Sequence, residues 1–277
     1  MTVLSSRPGL PVDPGLLSRA LEVAGRLAND AADVIAATAG RGAKPGVKES
    51  PFDWVTDTDR TLERHTRRVL ANEFPGMPVV GEEFGSDAGA ENAPYRWIVD
   101  PVDGTANYVA GLAWCAYSLA LVDAAGPVVG VVADPYQAQI YAAARGRGMR
   151  ANGTPVKLAE GATTTGSLVC TELTREGPWP GMGDFIADAA TAHAGVRILG
   201  SAALSIAQVA LGHAAAAVLH SYREWDVAGA LALAVEAGAT VLDRLGSINS
   251  LPVDGLLVAA PGVADDVLRW WQRAASS

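Results

Sequence analysis

Beyond about residue 155 the hydrophobic rhythm of the chain changes, and that change restricts the fold more than any other feature. Before it, two helical segments lead into a run of closely spaced apolar strands; after it, strands and helices take turns. A meander needs only short turns, whereas strand–helix alternation lays helices over the face of a sheet. The pattern predicts an α+β half, residues 1–154, followed by an α/β half, residues 155–277. No internal repeat, low-complexity tract or long linker divides them, so the halves are expected to share a wide contact. A cleft between them is the natural place for a ligand.

Leu17, Leu21, Ala24, Leu27, Ala31, Val34 and Ile35 recur at helical spacing and predict one long amphipathic helix over 14–38. Thr58 or Asp59 then reads as an N-cap, with Leu62, Val69, Leu70 and Phe74 on the buried side of a second helix. Apolar runs at 77–81 and 97–100 predict strands, and both end in acidic residues. A meander continues over 115–122, 128–134 and 139–144, with turns expected at Gly126-Pro127 and Asn152-Gly153. Later strands are predicted at 168–171, 196–199, 214–219, 240–243 and 256–260, and helices at 185–194, 202–211, 225–237 and 263–275.

Charge and cysteine content narrow the function classes. Lys and Arg total 21 against 30 Asp and Glu, a formal charge of -9. Such a surface repels nucleic acid, whose binding rests on neutralising phosphates, so no nucleic-acid partner is expected. Cys115 and Cys170 fit no zinc spacing and read as two buried thiols of a reducing compartment. The N-terminus lacks a basic start followed by a long apolar core, and Pro8, Pro11 and Pro14 interrupt it. No stretch has the apolar length of a membrane span, so a cytoplasmic location is expected. His65, His193, His213 and His220 show no metal-ligand spacing and read as structural or surface residues, His220 least securely because it precedes the 225–237 helix.

Acidic clusters stand at the predicted element ends: Asp53, Asp57 and Asp59; Glu82 and Glu83; Asp100 and Asp103. A lone surface carboxylate means little, because most are simply solvated. Asp100 and Asp103 instead bracket Pro101 directly after an apolar strand, where the chain is stiff and enters the interior. Two such carboxylates repel each other unless a cation lies between them. Hard ions such as Mg²⁺ take oxygen donors of this kind, and the Val102 carbonyl can add another. At Gly104-Thr105, glycine lets the backbone approach a ligand, and the amides of a following helical turn can bind an anion. Metal-binding carboxylates beside an anion-binding turn point to phosphate chemistry. The plainer alternative, open on these residues alone, is a helix capped by Asp103.

The stretch Trp97-Ile98-Val99-Asp100-Pro101-Val102-Asp103-Gly104-Thr105-Ala106-Asn107-Tyr108 resembles the first signature of the inositol monophosphatase family. Trp225-Asp226-Val227-Ala228-Gly229-Ala230 is similar to its second signature. Gly81-Glu82-Glu83, Val55-Thr56-Asp57-Thr58-Asp59 and Gly200-Ser201-Ala202-Ala203 match further stations in the family's order, so the likeness spans nearly the whole chain. It implies the layered αβαβα sandwich shared with fructose-1,6-bisphosphatase and a Mg²⁺-dependent phosphoric monoester hydrolase that uses two to three ions.

Carried onto this chain, the resemblance makes Glu82, Asp100 and the Val102 carbonyl ligands of one Mg²⁺. Asp100, Asp103 and Asp226 would bind a second, and a third ion would lie near Glu82. Asp59 and Thr105 would pair and, with Glu82, activate a water. The Gly104 and Thr105 amides would hold phosphate oxygens, with Asp103, Gly200, Ala202 and Asp226 bordering the substrate. Lys48 aligns with a family lysine near the site, a solvated loop lysine being the equal alternative. Lithium sensitivity and a homodimer are also implied.

The match weakens on the alcohol side. Positions where the family carries acidic residues that meet ring hydroxyls are here Ala215 and Leu219, and Ala110 stands where a polar residue is common. Glu224 is a candidate replacement, as are His220, Ser221 and Arg223. Inositol 1-phosphate leads as substrate; histidinol phosphate, fructose 1,6-bisphosphate and a nucleotide 3′-phosphate are the rivals. A non-catalytic interaction protein on the same scaffold is the reading from a different class.

Overall fold

The computed structural model describes residues 11–41, 45–47 and 54–275; Lys48 and Asp53 lie outside them. The first helix, α1 (Pro14–Thr38), matches the predicted span because its start is fixed twice: the Asp13 carboxylate accepts from Leu16 N at 2.8 Å, and Pro14 sits where no amide partner is needed. Short strands β1 (Gly46–Val47) and β2 (Trp54–Val55) pair with each other ahead of α2 (Asp57–Glu73). The cap of α2 is Thr56, upstream of the predicted Thr58 or Asp59. Asp59 instead occupies the third helical position, and its carboxylate reaches back to Thr56 N at 2.9 Å, closing a capping box.

The strands β3 (Val79–Gly81), β4 (Gly85–Ser86) and β5 (Arg96–Asp103) follow, then the short helix α3 (Thr105–Ala110). The meander is β6 (Ala116–Asp123), β7 (Gly126–Asp134), β8 (Gln139–Ala144), β9 (Met149–Ala151) and β10 (Thr154–Val156). These form an eight-stranded sheet in the order β10-β9-β8-β7-β6-β5-β3-β4, antiparallel except between β3 and β5. Asn152 and Gly153 make the expected turn, both at positive φ. The expected turn at Gly126-Pro127 lies instead at Ala124-Ala125, and Gly126 and Pro127 open β7. The Asp123 carboxylate stabilises that turn by accepting Ala125 N at 2.8 Å, a local cap that relieves the Gly-Pro pair of the reversal.

The remainder is β11 (Leu168–Thr171), α4 (Met182–Thr191), β12 (Gly195–Ile198), α5 (Ala202–Ala210), β13 (Ala216–Leu219), α6 (Glu224–Ala237), β14 (Thr240–Leu242), β15 (Leu256–Ala259) and α7 (Ala264–Ala274). Its sheet runs β12-β11-β13-β15-β14, parallel over the first three strands and antiparallel at β15 and β14.

Strand alternation in the large sheet separates two apolar faces. Trp97, Val99, Leu119 and Leu121 pack towards α1 and α2, while Ile98, Ala120 and Val122 pack with Ala228 of α6. Helices α5 and α6 fill the space between the two sheets, and α4 and α7 cover the far side of the smaller one. The layers therefore read α, β, α, β, α. Gly130 and Gly229 set the closest approach of α6 to the large sheet: a Cβ on Gly229 would lie 3.0 Å from Val131 O and 3.2 Å from Leu119 N. No described helix is long and apolar enough to cross a membrane, and both cysteines are buried free thiols.

Candidate active site

The acidic stations lie at the ends of β3 and β5 and in the first turns of α2 and α6. Strand β5 runs past Asp100 through Pro101 to Asp103, with its register against β6 broken between those two residues. That irregularity keeps both carboxylates on the buried end of the strand, Asp100 at 2% exposure and Asp103 at 7%. Asp100 Oδ1 accepts Val102 N at 3.0 Å. Asp103 Oδ2 accepts Ala203 N at 2.9 Å and the Ser201 hydroxyl, so a residue of the large sheet is tied to the start of α5. Asp103 therefore does not cap α3. Its N-cap is Gly104, which offers no side chain to the first helical amides.

Gly104 is required on two counts. Its φ of 87° lies in the left-handed region, and a Cβ there would stand 2.8 Å from Gly200 O and 3.1 Å from Trp114 O. Thr105, next in the chain, points its hydroxyl at Asp59 Oδ1 (3.1 Å) and Val102 O (3.0 Å). The pairing of Asp59 with Thr105 expected from the resemblance is thus present, across 46 residues of sequence. Asp226 repeats the capping geometry of Asp59: it sits at the third position of α6, and its Oδ2 accepts Arg223 N at 2.6 Å. The capping bond fixes each side chain's orientation.

Electrostatics show that these stations share one neighbourhood. Burial pushes the Asp100 carboxyl well above its usual range, and repulsion from Glu82, Asp103, Asp226 and Asp59 pushes it further. Burial raises Asp103 to about 8 and Asp226 to about 7, against the hydrogen bonds each accepts. Burial also raises Asp59. Among the described residues no three acidic, histidine or cysteine side chains close on one point at ligand distance. The donors are oxygens, mutually repelling and in part buried, Glu82 and Asp226 being half-exposed, and this is a set suited to a hard divalent ion that would offset their charge.

Three residues not singled out by sequence hold this arrangement. Glu63 of α2, fully buried, accepts Glu83 N at 2.7 Å and Phe84 N at 3.2 Å and pairs with Arg67, which fixes the turn carrying Glu82. Asn107 donates to Trp114 O at 2.8 Å and to Leu199 O at 2.7 Å. Glu172, directly after β11, accepts Gly200 N and the Ser205 hydroxyl, each at 2.7 Å. An acidic residue ending an apolar strand is the signal that marked Asp100, and it marks Glu172 equally.

On the alcohol side Ala215 and Leu219 are buried. Glu224 is ion-paired with Arg96 at 2.6 Å, so it does not stand in for the missing acidic groups. His220 is stacked on Trp179, with ring centroids 5.2 Å apart, and its Nδ1 lies 2.9 Å from Arg244. Gly200 is exposed and Ala202 half-buried beside the Asp103 carboxylate's partners.

A sequence model described as the Inositol monophosphatase family matches residues 16–273. The chain belongs to the inositol monophosphatase family. Within it, the chain is 31% identical to "Inositol-1-monophosphatase ImpA" of Mycolicibacterium smegmatis over 262 residues, 93% of each protein. It is 30% identical to "Nus factor SuhB" of Pasteurella multocida, over 79% of this chain and 83% of that one. The solved Thermotoga maritima IMPase superposes with a TM-score of 0.84 at 27% identity, covering 93% of this chain and 98% of that one. An IMPase/NADP phosphatase solved with Mg²⁺ and phosphate shares the fold at 22% identity and a TM-score of 0.79, covering 92% of this chain and 95% of that one. The family is one of phosphoric monoester hydrolases.

The raised carboxyls of this inositol monophosphatase-family site have a consequence for stability. Between about pH 4 and pH 8 the folded chain holds protons on Asp103 and Asp226 that an unfolded chain has released, because unfolded aspartates titrate near 3.9. The folded state then binds more protons than the unfolded state, so this contribution is complete below about pH 4 and is lost as pH rises through 7 and 8. Thermal melts in chelator are expected to show a falling Tm from about pH 5 to about pH 8.5, and added Mg²⁺ is expected to restore it most at the alkaline end. A flat profile with no Mg²⁺ effect would contradict the assignment.

Proposed function

We propose that the protein hydrolyses the phosphate monoester of a small polyol in a Mg²⁺-dependent reaction, with inositol 1-phosphate as the leading substrate. The observation that carries the reading is the mutual repulsion of Glu82, Asp100, Asp103 and Asp226, which come from three separate chain stations, Asp100 and Asp103 being buried and Glu82 and Asp226 half-buried. Glu82, Asp100 and the Val102 carbonyl would hold one ion, Asp100, Asp103 and Asp226 a second, and a third would lie near Glu82. When bound, Mg²⁺ supplies a lowered pKa for the attacking water and charge shielding for the phosphate dianion. The Thr105 hydroxyl lies within reach of both Asp59 Oδ1 and Val102 O, and donating its one proton to Asp59 releases Val102 O from that bond.

The chain's own groups supply the proton path. Water oxygen bonds to phosphorus as the ester P–O bond breaks, bulk water protonates the leaving alkoxide, and Asp59 later returns the proton it has taken to the hydroxide so formed. Thr105 Oγ relays the water's proton to Asp59 Oδ1, while Oδ2 of Asp59 stays engaged with Thr56. Burial raises Asp59 and so makes it a better acceptor. The amides of Gly104 and Thr105 face the phosphate oxygens, with Gly200 and Ala202 bordering the ester. Since Ala215 and Leu219 are apolar, Glu224 is paired and His220 is stacked, recognition of the alcohol falls to Ser221 and the exposed Arg223.

Phosphate release from a panel of monoesters with Mg²⁺ tests this. Inositol 1-phosphate is expected to give the highest kcat/KM. Preference for histidinol phosphate, fructose 1,6-bisphosphate or a nucleotide 3′-phosphate would replace it within the same chemistry. The second reading, an interaction protein of the transcription machinery, is suggested by the relative named Nus factor SuhB. Release of phosphate from none of these esters would favour that reading.

A further inference from the structure

The turn that follows β12 joins the two halves of the site, and a carboxylate outside the metal set holds it. On one side, Asp103 of β5 accepts Ser201 Oγ and Ala203 N, and Asn107 of α3 donates to Leu199 O. On the other, Glu172 at the end of β11 accepts Gly200 N and Ser205 Oγ, each at 2.7 Å, and bonds from the Leu199 and Ser201 amides also favour its charge. One carboxylate thus gathers successive amides of a single turn, in the way a backbone nest binds an anion. The turn so held delivers the Ser201 hydroxyl to Asp103. Glycine at 200 is needed for this path, with φ of 80° and Asn107 Nδ2 3.1 Å from where a Cβ would stand.

We propose that Glu172 is a positioning residue for the metal-binding centre: its carboxylate holds the 199–201 turn, and through Ser201 that turn orients Asp103. Glu172 itself bonds to backbone amides and a hydroxyl, so it acts through the turn and does not touch the reacting atoms. The inference rests on the Mg²⁺-dependent reading of the site. Groups that orient a metal's ligands typically change metal affinity by about 10- to 100-fold when removed.

The test is Mg²⁺ binding to the full chain by titration calorimetry, with phosphate release and thermal melts measured alongside. Glu172→Ala is expected to weaken Mg²⁺ binding by about 10-fold or more. Glu172→Gln is expected to recover most of the loss, since the amide oxygen still accepts Gly200 N and the Ser205 hydroxyl can accept from the amide nitrogen. A carboxylate acting only through its charge would make Gln as damaging as Ala, and that result overturns the proposal. So does a lowered Tm with unchanged Mg²⁺ affinity. Ser201→Ala supplies an independent arm if Glu172→Ala does not fold: by releasing Asp103 from the turn it is expected to weaken Mg²⁺ binding by about 10-fold, and unchanged Mg²⁺ affinity would overturn the route through Ser201. Absence of Mg²⁺ binding by the unaltered chain would sink the metal-dependent reading itself, a result distinct from either.

Discussion

Asp100→Asn is expected to lower phosphate release by about 10³-fold or more while leaving the metal-free protein at least as stable as the parent. Asp100 is 2% exposed, and its carboxyl is held well above the ordinary range by burial and then by four acidic neighbours. An amide of the same size keeps the oxygen that accepts Val102 N at 3.0 Å and removes the buried negative charge. In chelator at about pH 8 its Tm should therefore equal or exceed the parent's, since less like charge must be confined. Added Mg²⁺, which at about 100-fold above its dissociation constant would stabilise the parent by about 2.7 kcal/mol, should no longer raise the variant's Tm. A variant that melts early without metal would mark Asp100 as a structural residue.

The second large effect is expected from Gly229→Ala. Helix α6 lies so close to the large sheet that a Cβ at 229 meets Ser118 Oγ, Val131 O and Leu119 N. Backbone atoms cannot turn aside, so the helix must lift, at a cost of about 1–3 kcal/mol. Asp226 rides on the first turn of that helix and would move with it. Melting should fall by about 3–10 °C, and kcat/KM should fall beyond what the lost folded fraction explains. Gly25→Ala is the control, because no atom lies within 4 Å of its Cβ and it sits inside α1. It should hold or raise the Tm, as alanine favours a helix over glycine by about 1 kcal/mol. Equal behaviour of the two variants would remove the close-packing argument.

Most of the layered fold is legible in the apolar spacing, and the reasons differ by element. The ends of α1 were readable because Asp13-Pro14 is a local cap and Ile35 is its last buried contact. The cap of α2 is ambiguous in sequence because Thr56, Thr58 and Asp59 are all capping residues; the box between Thr56 and Asp59, together with the bond Asp59 accepts from Thr105, selects the register. The Gly126-Pro127 turn signal lost to the neighbouring Asp123–Ala125 bond, which no dipeptide rule sees. Within the site, Asp100, Asp103 and Asp226 stood out because each lies in a dense local motif. Glu63 acts through Glu83 and Phe84, about twenty residues on, so its importance is a property of the fold, whereas Asn107 lies in the first signature and Glu172 ends an apolar strand, signals that mark a site without naming the partners. Glu172 bonds to residues 28 and 33 positions away.

The alcohol side was the least legible, since a missing acidic group says what does not bind the hydroxyls and leaves open what does. The structure narrows the choice by assigning other partners to Glu224 and His220. Arg223 is exposed, and its backbone amide donates to Asp226.

The most direct measurement is the anomalous difference map of a crystal soaked in Mn²⁺ and phosphate, with Mn²⁺ standing in for Mg²⁺. The account predicts peaks at bonding distance from the carboxylates of Glu82, Asp100, Asp103 and Asp226, with phosphate against the Gly104 and Thr105 amides. Strong peaks elsewhere on the acidic surface, and none among these four side chains, would contradict it.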